Sequence, residues 1–244
     1  MQKLAFLGAL SLLLSASACF IDIDDDDGLF GCVDGNGPFV TEVLDVPPFD
    51  ELVVRMGVTV HLKQGPVQEV LVEGKPNIID ELELDVDNGE WEIETDDCVR
   101  DIGPMTFFIT VVDLDRIEVT GDGTVIGDEF LTVQDIELRV SGSGELNLGL
   151  LADDIYTRVS GSGDVFLEGT ADEHELRISG AGDVRAFDLA TNECEVNVSG
   201  SGDGEVTVST WIHGRISGSG DVYFRGFPEI DVDISGSGNL VDAN

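Results

Sequence analysis

From residue 136 onward the chain alternates apolar and polar positions with a period of two, and the alternation stops at regular intervals at a Ser-Gly-Ser-Gly-Asp-like tetra- or pentapeptide. Counted from the first Ser or Thr of each copy, the starts are Thr120, Ser141, Ser160, Ser179, Ser199, Ser217 and Ser235, at intervals of 21, 19, 19, 20, 18 and 18. One residue before these starts lie Val140, Val159, Ile178, Val198, Ile216 and Ile234. Three before lie Leu138, Thr157, Leu176, Val196, Gly214 and Val232; five before lie Ile136, Ile155, His174, Cys194, Ile212 and Ile230. A period of two with the apolar side in register from copy to copy predicts strands that bury one face. A short fixed period predicts a solenoid in which each copy stacks on the last.

The expected fold is therefore all-β, a parallel β-helix (β-solenoid) with coils of 18 to 21 residues. The glycine pair is read as a corner, where Gly supplies positive φ and lets neighbouring backbones approach closely. Beyond the corner the apolar column resumes at Leu146, Val165, Val184, Val206 and Val222. That placement gives the copy at Ser199 ("GDGEV") one extra residue, a small bulge.

The polar positions are as regular as the apolar ones. Two residues before each start stand Arg139, Arg158, Arg177, Asn197, Arg215 and Asp233; four before stand Glu137, Tyr156, Glu175, Glu195, His213 and Asp231. One reading of the arginine stripe is an ionic ladder, each exposed pair contributing under ~1 kcal/mol. The other is a strip that recognises a carboxylate or sulfate on a glycan, with Tyr156, Trp211 and Tyr223 as stacking platforms for sugars. Four residues after the starts come Thr124 and then Glu145, Asp164, Asp183, Asp203 and Asp221, ending at Asn239. Stacked carboxylates ~4.8 Å apart repel by only ~1 kcal/mol per pair in water. Such a ladder admits calcium but does not require it.

The beginning of the chain addresses location. Lys3, the run "LAFLGALSLLL" and the small residues of "SASAC" predict a signal peptide over residues 1–18, too short to span a bilayer as a mature helix. Cys19 after small residues is the expected lipidation site, with plain secretion after Ala18 as the alternative. Residues 19–37 read as the lipidated Cys and an acidic tether. Asp27 and Val33 stand where a calcium loop starting at Asp22 needs Gly and Glu. Residues 38–244 read as a single solenoid domain, with less regular strands over 38–115 and the repeats over 116–244.

Without residues 1–18 the chain carries 11 basic and 50 acidic residues, a net charge of −39. Such a surface repels polyanions and excludes nucleic acid as a partner. With Cys19 set aside for lipid three cysteines remain, and in an oxidising compartment Cys32 and Cys98 are a possible disulfide that staples the tether to the fold, a pairing that spacing alone does not fix.

These features together resemble the auto-transporter adhesin family with a head GIN domain, found in bacterial envelope proteins. "PPFDELVVRMGVTVHLKQG" at 47–65 looks like the family's opening, "VLVEGKPNIIDELELDVDNGEWEIET" at 70–95 is similar to its next strands, and the SGSGD series continues it. The resemblance spans roughly residues 38–240. It implies a right-handed parallel β-helix, often behind a lipoprotein signal, and implies no particular chemistry. Phe20 after the lipid site, rather than Asp, implies the outer membrane as destination.

Catalytic readings fail on spacing. A nucleophile elbow needs Gly two residues before the Ser, where these copies have Ser or Thr. "GDGTVIG" at 121 places its third Gly one position late for a dinucleotide loop. His61, His174 and His213 show no paired metal-ligand spacing. His174 and Cys194 fall on successive coils of one inward column and are read as a polar core contact. The chain thus reads as a non-enzymatic, lipid-anchored envelope protein presenting an acidic β-solenoid as an adhesin-like binding or structural surface. Its expected partners are the bilayer through the acyl anchor and a glycan or envelope protein. The alternatives are a polysaccharide lyase or hydrolase built on a β-helix, and a calcium-binding structural module. No catalytic residue or metal set is assigned, and no cofactor is expected unless calcium occupies the acidic ladder.

Overall fold

The computed structural model describes residues 31–244, so the signal segment, Cys19 and most of the proposed tether lie outside the described residues. The described chain is nearly all strand, with a single short helix, Pro76–Ile79. From Arg116 to Asp242 it winds as a parallel β-solenoid. Each rung runs one strand into the SGSG corner and a second strand out of it, and both strands pair with the rungs above and below. The strand Asp135–Val140 pairs in register with Asp154–Val159, which pairs with Glu173–Ile178, and the series continues to Trp211–Ile216 and Glu229–Ile234.

The inward columns are those the alternation predicts. Val140, Val159, Ile178, Val198 and Ile216 are all at most 1 % exposed, as are Ile136, Ile155, His174, Cys194 and Ile212. A solenoid core is a set of such columns, so each apolar side chain is covered by its equivalents in the two adjacent rungs.

Of the two reasons expected for the corner glycines, close approach of neighbouring backbones holds and positive φ does not. None of the SGSG glycines has positive φ; among the described glycines that property falls on positions such as Gly169, Gly214 and Gly226. What the corner glycines supply is the absence of a Cβ. A Cβ on Gly163 would collide with the carbonyl oxygen of Gly144, and one on Gly182 with that of Gly163, each far inside 3.0 Å. The rungs stay hydrogen-bonded through the turn, with Ser162 N donating to Gly142 O at 2.9 Å and Ala181 N to Gly161 O at 2.9 Å. The Ser side chains, by contrast, point outward into solvent.

The copy at Ser199 carries no extra residue. Gly204 pairs with Val184 below and Val222 above, so it occupies the apolar column itself. A Cβ there would lie 2.9 Å from Leu176 Cδ2, so neighbouring side chains fill the space a valine would take. The irregularity falls later, where the register shifts between Ala186 and Ala190 and again between Thr191 and Glu193.

The region before residue 116 is also solenoidal. Glu51–Val54 pairs with Arg116–Val119 on one side and with Glu90–Ile93 on the other, and Thr59–Gln64 lies between Thr124–Gly127 and Thr106–Val111. The end of the stack is then closed by antiparallel strands, Glu69–Gly74 on Thr106–Val111 and Val40–Leu44 on Glu69–Gly74. Buried Trp91 and Phe107, with ring centroids 6.1 Å apart, and Ile78 and Ile79 of the helix plug this end of the core. Cys32 and Cys98 form a disulfide, and Val33–Asp34 pairs with Val99–Arg100. Among the described residues, Cys32–Asp34 of the segment assigned to the tether are therefore part of the fold.

Candidate functional site

The arginine stripe forms because outward residues two positions apart on a strand share a face, and parallel in-register stacking aligns them rung upon rung. In the structure Glu118, Arg139, Arg158, Arg177, Asn197, Arg215 and Asp233 succeed one another as register partners. Beside them runs the column Glu137, Tyr156, Glu175, Glu195, His213 and Asp231. Beyond that runs Asp135, Asp154, Glu173, Glu193, Trp211 and Glu229.

The four arginines are not equivalent. Arg139 is half-buried and held in a two-pronged pair with Glu137, at 2.6 and 2.8 Å, with Glu118 at 3.5 Å. The Glu137 hydrogen bonds are the main reason its guanidinium is raised above its usual range. Arg177 pairs with Glu175. Arg158 and Arg215 are exposed and form no ion pair among the described residues. Asn197, between Arg177 and Arg215 in the stack, donates to Glu195 Oε1 at 2.6 Å and so occupies the acid that would otherwise face Arg215.

Arg158, Arg177, Asn197 and Arg215, with Ser179, Ser199 and Ser217 of the adjoining corners, line a groove of about 380 Å³. Tyr156 and Glu175 join Arg158 and Arg177 around a second hollow of about 370 Å³. The ionic-ladder reading thus describes Arg139 and Arg177, whereas Arg158 and Arg215 present free guanidinium groups with serine hydroxyls beside them. Arginine offers a planar fork of donors matched to carboxylate or sulfate oxygens. The surroundings limit how far that attraction reaches. Asp154 and Glu173 have their carboxyls pushed up, first by partial burial and then by their acidic neighbours in the column. The groove is a local positive strip inside a negative field.

Of the three aromatics named as stacking platforms, two share this face. Tyr156 is 43 % exposed in the second hollow, beside Arg158 and Arg177. Trp211 stacks on His213, with centroids 4.0 Å apart. Tyr223 lies beyond the corner, in the column of Glu205, and does not reach the arginines. That second side has features the sequence did not announce: Arg185 lies over the Phe166 ring at 5.0 Å and Arg225 over Phe187 at 3.9 Å.

The acidic ladder has a structural occupation. Asp164 Oδ1 accepts the backbone N–H of Asp183 at 2.9 Å, and Asp183 Oδ1 that of Asp203 at 2.9 Å. Asp203 Oδ1 accepts from Asp221 at 2.7 Å, and Asp221 Oδ1 from Asn239 at 2.7 Å. Each carboxylate therefore caps the next rung's amide just where the corner ends, leaving no backbone donor orphaned. Glu145, at the start of the ladder, pairs in register with Thr124 and Asp164. Arg185 adds contacts to Asp164 and Asp183 at 3.3 and 3.2 Å. Among the described residues no group of three or more His, Cys, Asp or Glu side chains is disposed to hold a metal ion.

His174 and Cys194 are register partners in the core. His174 Nε2 lies 3.0 Å from Thr157 Oγ1, and its buried Nδ1 has no partner. Burial pulls the imidazole down to about 4 and pushes the Cys194 thiol up, so both are neutral. A neutral thiol beside a neutral imidazole, closed off from solvent, offers no nucleophile to a substrate.

Residues 48–228 match the family described as "Putative auto-transporter adhesin, head GIN domain". A comparison with curated proteins gives no match. Among solved structures, a Bacteroides fragilis NCTC 9343 protein described as a putative adhesin superposes with a TM-score of 0.80 at 24 % identity, over 85 % of this chain and 98 % of its own. A Parabacteroides distasonis ATCC 8503 protein described as a putative lipid binding protein gives 0.70 at 22 %, over 86 % and 99 %. A putative adhesin from Parabacteroides merdae ATCC 43184 gives 0.68 at 17 %, over 85 % and 98 %. At these identities the likeness is one of fold. The chain belongs to the auto-transporter adhesin, head GIN domain family.

Proposed function

We propose that the protein is a non-enzymatic, adhesin-like binding module of the bacterial envelope whose arginine groove takes an acidic glycan. The observation that carries this reading is the pair of unpaired guanidinium groups, Arg158 and Arg215. With Arg177 and Asn197 they line one groove on a chain of net charge −38. A solvent-facing arginine with acids close by and no ion pair has donors to spare for a ligand. Tyr156, in the adjoining hollow that shares Arg158 and Arg177 with the groove, supplies a ring face on which a sugar can stack. Family membership supports the adhesin-like part of the reading.

The double substitution Arg158→Gln/Arg177→Gln is expected to weaken binding to a sulfated or uronic-acid polysaccharide at least tenfold. Thermal stability should hardly change, since both side chains are exposed. Unchanged affinity would remove the groove from the account.

Attachment is proposed through a lipid on Cys19 after removal of residues 1–18, with the outer membrane as destination; the support is the "SASAC" sequence and Phe20. Among the described residues no helix is long and apolar enough to cross a membrane. Cys19→Ser is expected to move the protein from the membrane fraction to the soluble fraction. Retention of the variant in the membrane would argue for another anchor.

A further inference from the structure

The two ends of the solenoid are built differently. The end near Trp91 and Phe107 is plugged and covered by antiparallel strands. At the other end the rung Glu229–Ile234 and Leu240–Asp242 pairs, among the described residues, only with the rung before it. Ile230 and Ile234 are 48 % and 50 % exposed, whereas Ile212 and Ile216 one rung earlier are fully buried; Phe227 beside them is 91 % exposed. A strand paired on one side presents a row of unused N–H and C=O groups to any segment that can extend the sheet.

Two further observations say what fits. The amide-capping ladder does not terminate in a closed group. Asn239 donates through Nδ2 to Asp221 at 2.9 Å, and its Oδ1 accepts nothing among the described residues. Asn239 holds the ladder position at which Asp164, Asp183, Asp203 and Asp221 each receive the next rung's N–H, so the ladder is continuous with one more strand. Charge then selects the strand. Glu229, Asp231 and Asp233 alternate with Ile230, Val232 and Ile234, so the outward face of the edge is acidic at each position. A second copy placed edge to edge would set these acids against the same acids, and like charges directly opposite are destabilising.

We propose that the open rung is a strand-docking edge that accepts, as an added β-strand, an extended segment of a partner protein in which apolar residues alternate with Lys or Arg. The backbone would extend the sheet, the apolar side chains would cover Ile230, Val232 and Ile234, and the basic ones would lie beside the acids.

The test titrates the protein with a six-residue peptide alternating lysine and valine, blocked at both ends. Three controls accompany it: the same peptide with alternate backbone nitrogens methylated, a glutamate–valine peptide, and the protein variant Ile230→Lys/Ile234→Lys. The expected result is one-to-one binding of the lysine–valine peptide, at least tenfold weaker with each control. It should persist in Arg158→Gln/Arg177→Gln, because the edge and the groove are separate sites. Equal binding of the methylated peptide would show attraction by charge without strand pairing and would overturn the proposal. So would no binding, unchanged binding by the lysine variant, or sedimentation showing that the edge is occupied by a second copy.

Discussion

Gly182→Ala is expected to destabilise the protein by about 3 kcal/mol or more, among the largest losses any single methyl group could cause in this chain. Inserting a methylene into a packed core ordinarily costs 1–3 kcal/mol because neighbouring side chains shift. Here the obstacle is backbone: the new Cβ would overlap the carbonyl oxygen of Gly163, itself a corner residue whose N–H donates to Gly142 O of the rung below at 3.2 Å. Relief requires the rungs to separate, which breaks coil-to-coil hydrogen bonds. Ser162→Ala is the control, since that side chain is solvent-facing, and it should stay within about 0.5 kcal/mol of the parent. Denaturant unfolding of the two variants measures the difference. A Gly182→Ala protein within about 1 kcal/mol of the parent would mean that the rungs do not stack as closely as described.

The second large effect depends on pH. His174 is fully buried and its imidazole is pulled from 6.5 down to about 4 by burial alone. A group whose folded pKa is lowered stabilises the fold in its neutral form. That contribution is complete above the unfolded pKa and is lost as pH falls through the folded one. Between pH 7 and pH 4.5 His174 should therefore cost the protein about 2–3 kcal/mol, given ~1.4 kcal/mol per unit. Asp115, Asp154 and Glu173 act in the opposite direction. Their carboxyls are raised by burial and acidic neighbours, so protonation on acidification relieves the fold. The variant His174→Ile, which continues the column of Ile155 and Ile212, separates the two. The acids are common to both proteins and cancel in the comparison. Relative to the parent, the variant should gain about 2–3 kcal/mol between pH 7 and pH 4.5. A constant difference at the two pH values would show that His174 is not held neutral in the core.

Most of the solenoid is legible in the sequence because a solenoid is local order repeated. Each rung meets copies of itself, so the column Val140, Val159, Ile178 is at once a sequence pattern and a row of contacts. What is not legible lies where the repeat is silent. The rung at 51–64 turns its corner at Arg55–Val58 with no SGSG. It lies between 90–111 and 116–132, out of chain order, and spacing carries no sign of either fact. Gly204 was misplaced because counting by residue type favours the next valine, whereas the backbone register admits a glycine that Leu176 can cover. Of the two roles the sequence offers for the corner glycines, close stacking holds and positive φ does not, because the operative quantity is the distance to the rung below. The candidate site divides in the same way. Alignment of the arginines follows from the repeat. Their division into engaged Arg139 and Arg177 and unpaired Arg158 and Arg215 depends on which neighbouring acid each side chain reaches, and on Asn197 interrupting the stripe. The acidic ladder shows the limit most plainly. Five aligned carboxylates admit a cation on spacing alone, whereas the backbone amides of Asp183, Asp203, Asp221 and Asn239 that four of them accept leave no mark in the sequence.

The central claim is that the arginine groove binds an acidic glycan without cleaving it. The most direct test incubates the purified protein with immobilised neutral, sulfated and uronic-acid polysaccharides, with and without calcium, and records retained protein and newly formed sugar ends in the same wells. The account predicts retention on the acidic polymers, none on the neutral ones, no dependence on calcium and no new ends. New sugar ends in the wells that retain protein would contradict it and would turn attention to the acids bordering the groove as catalysts.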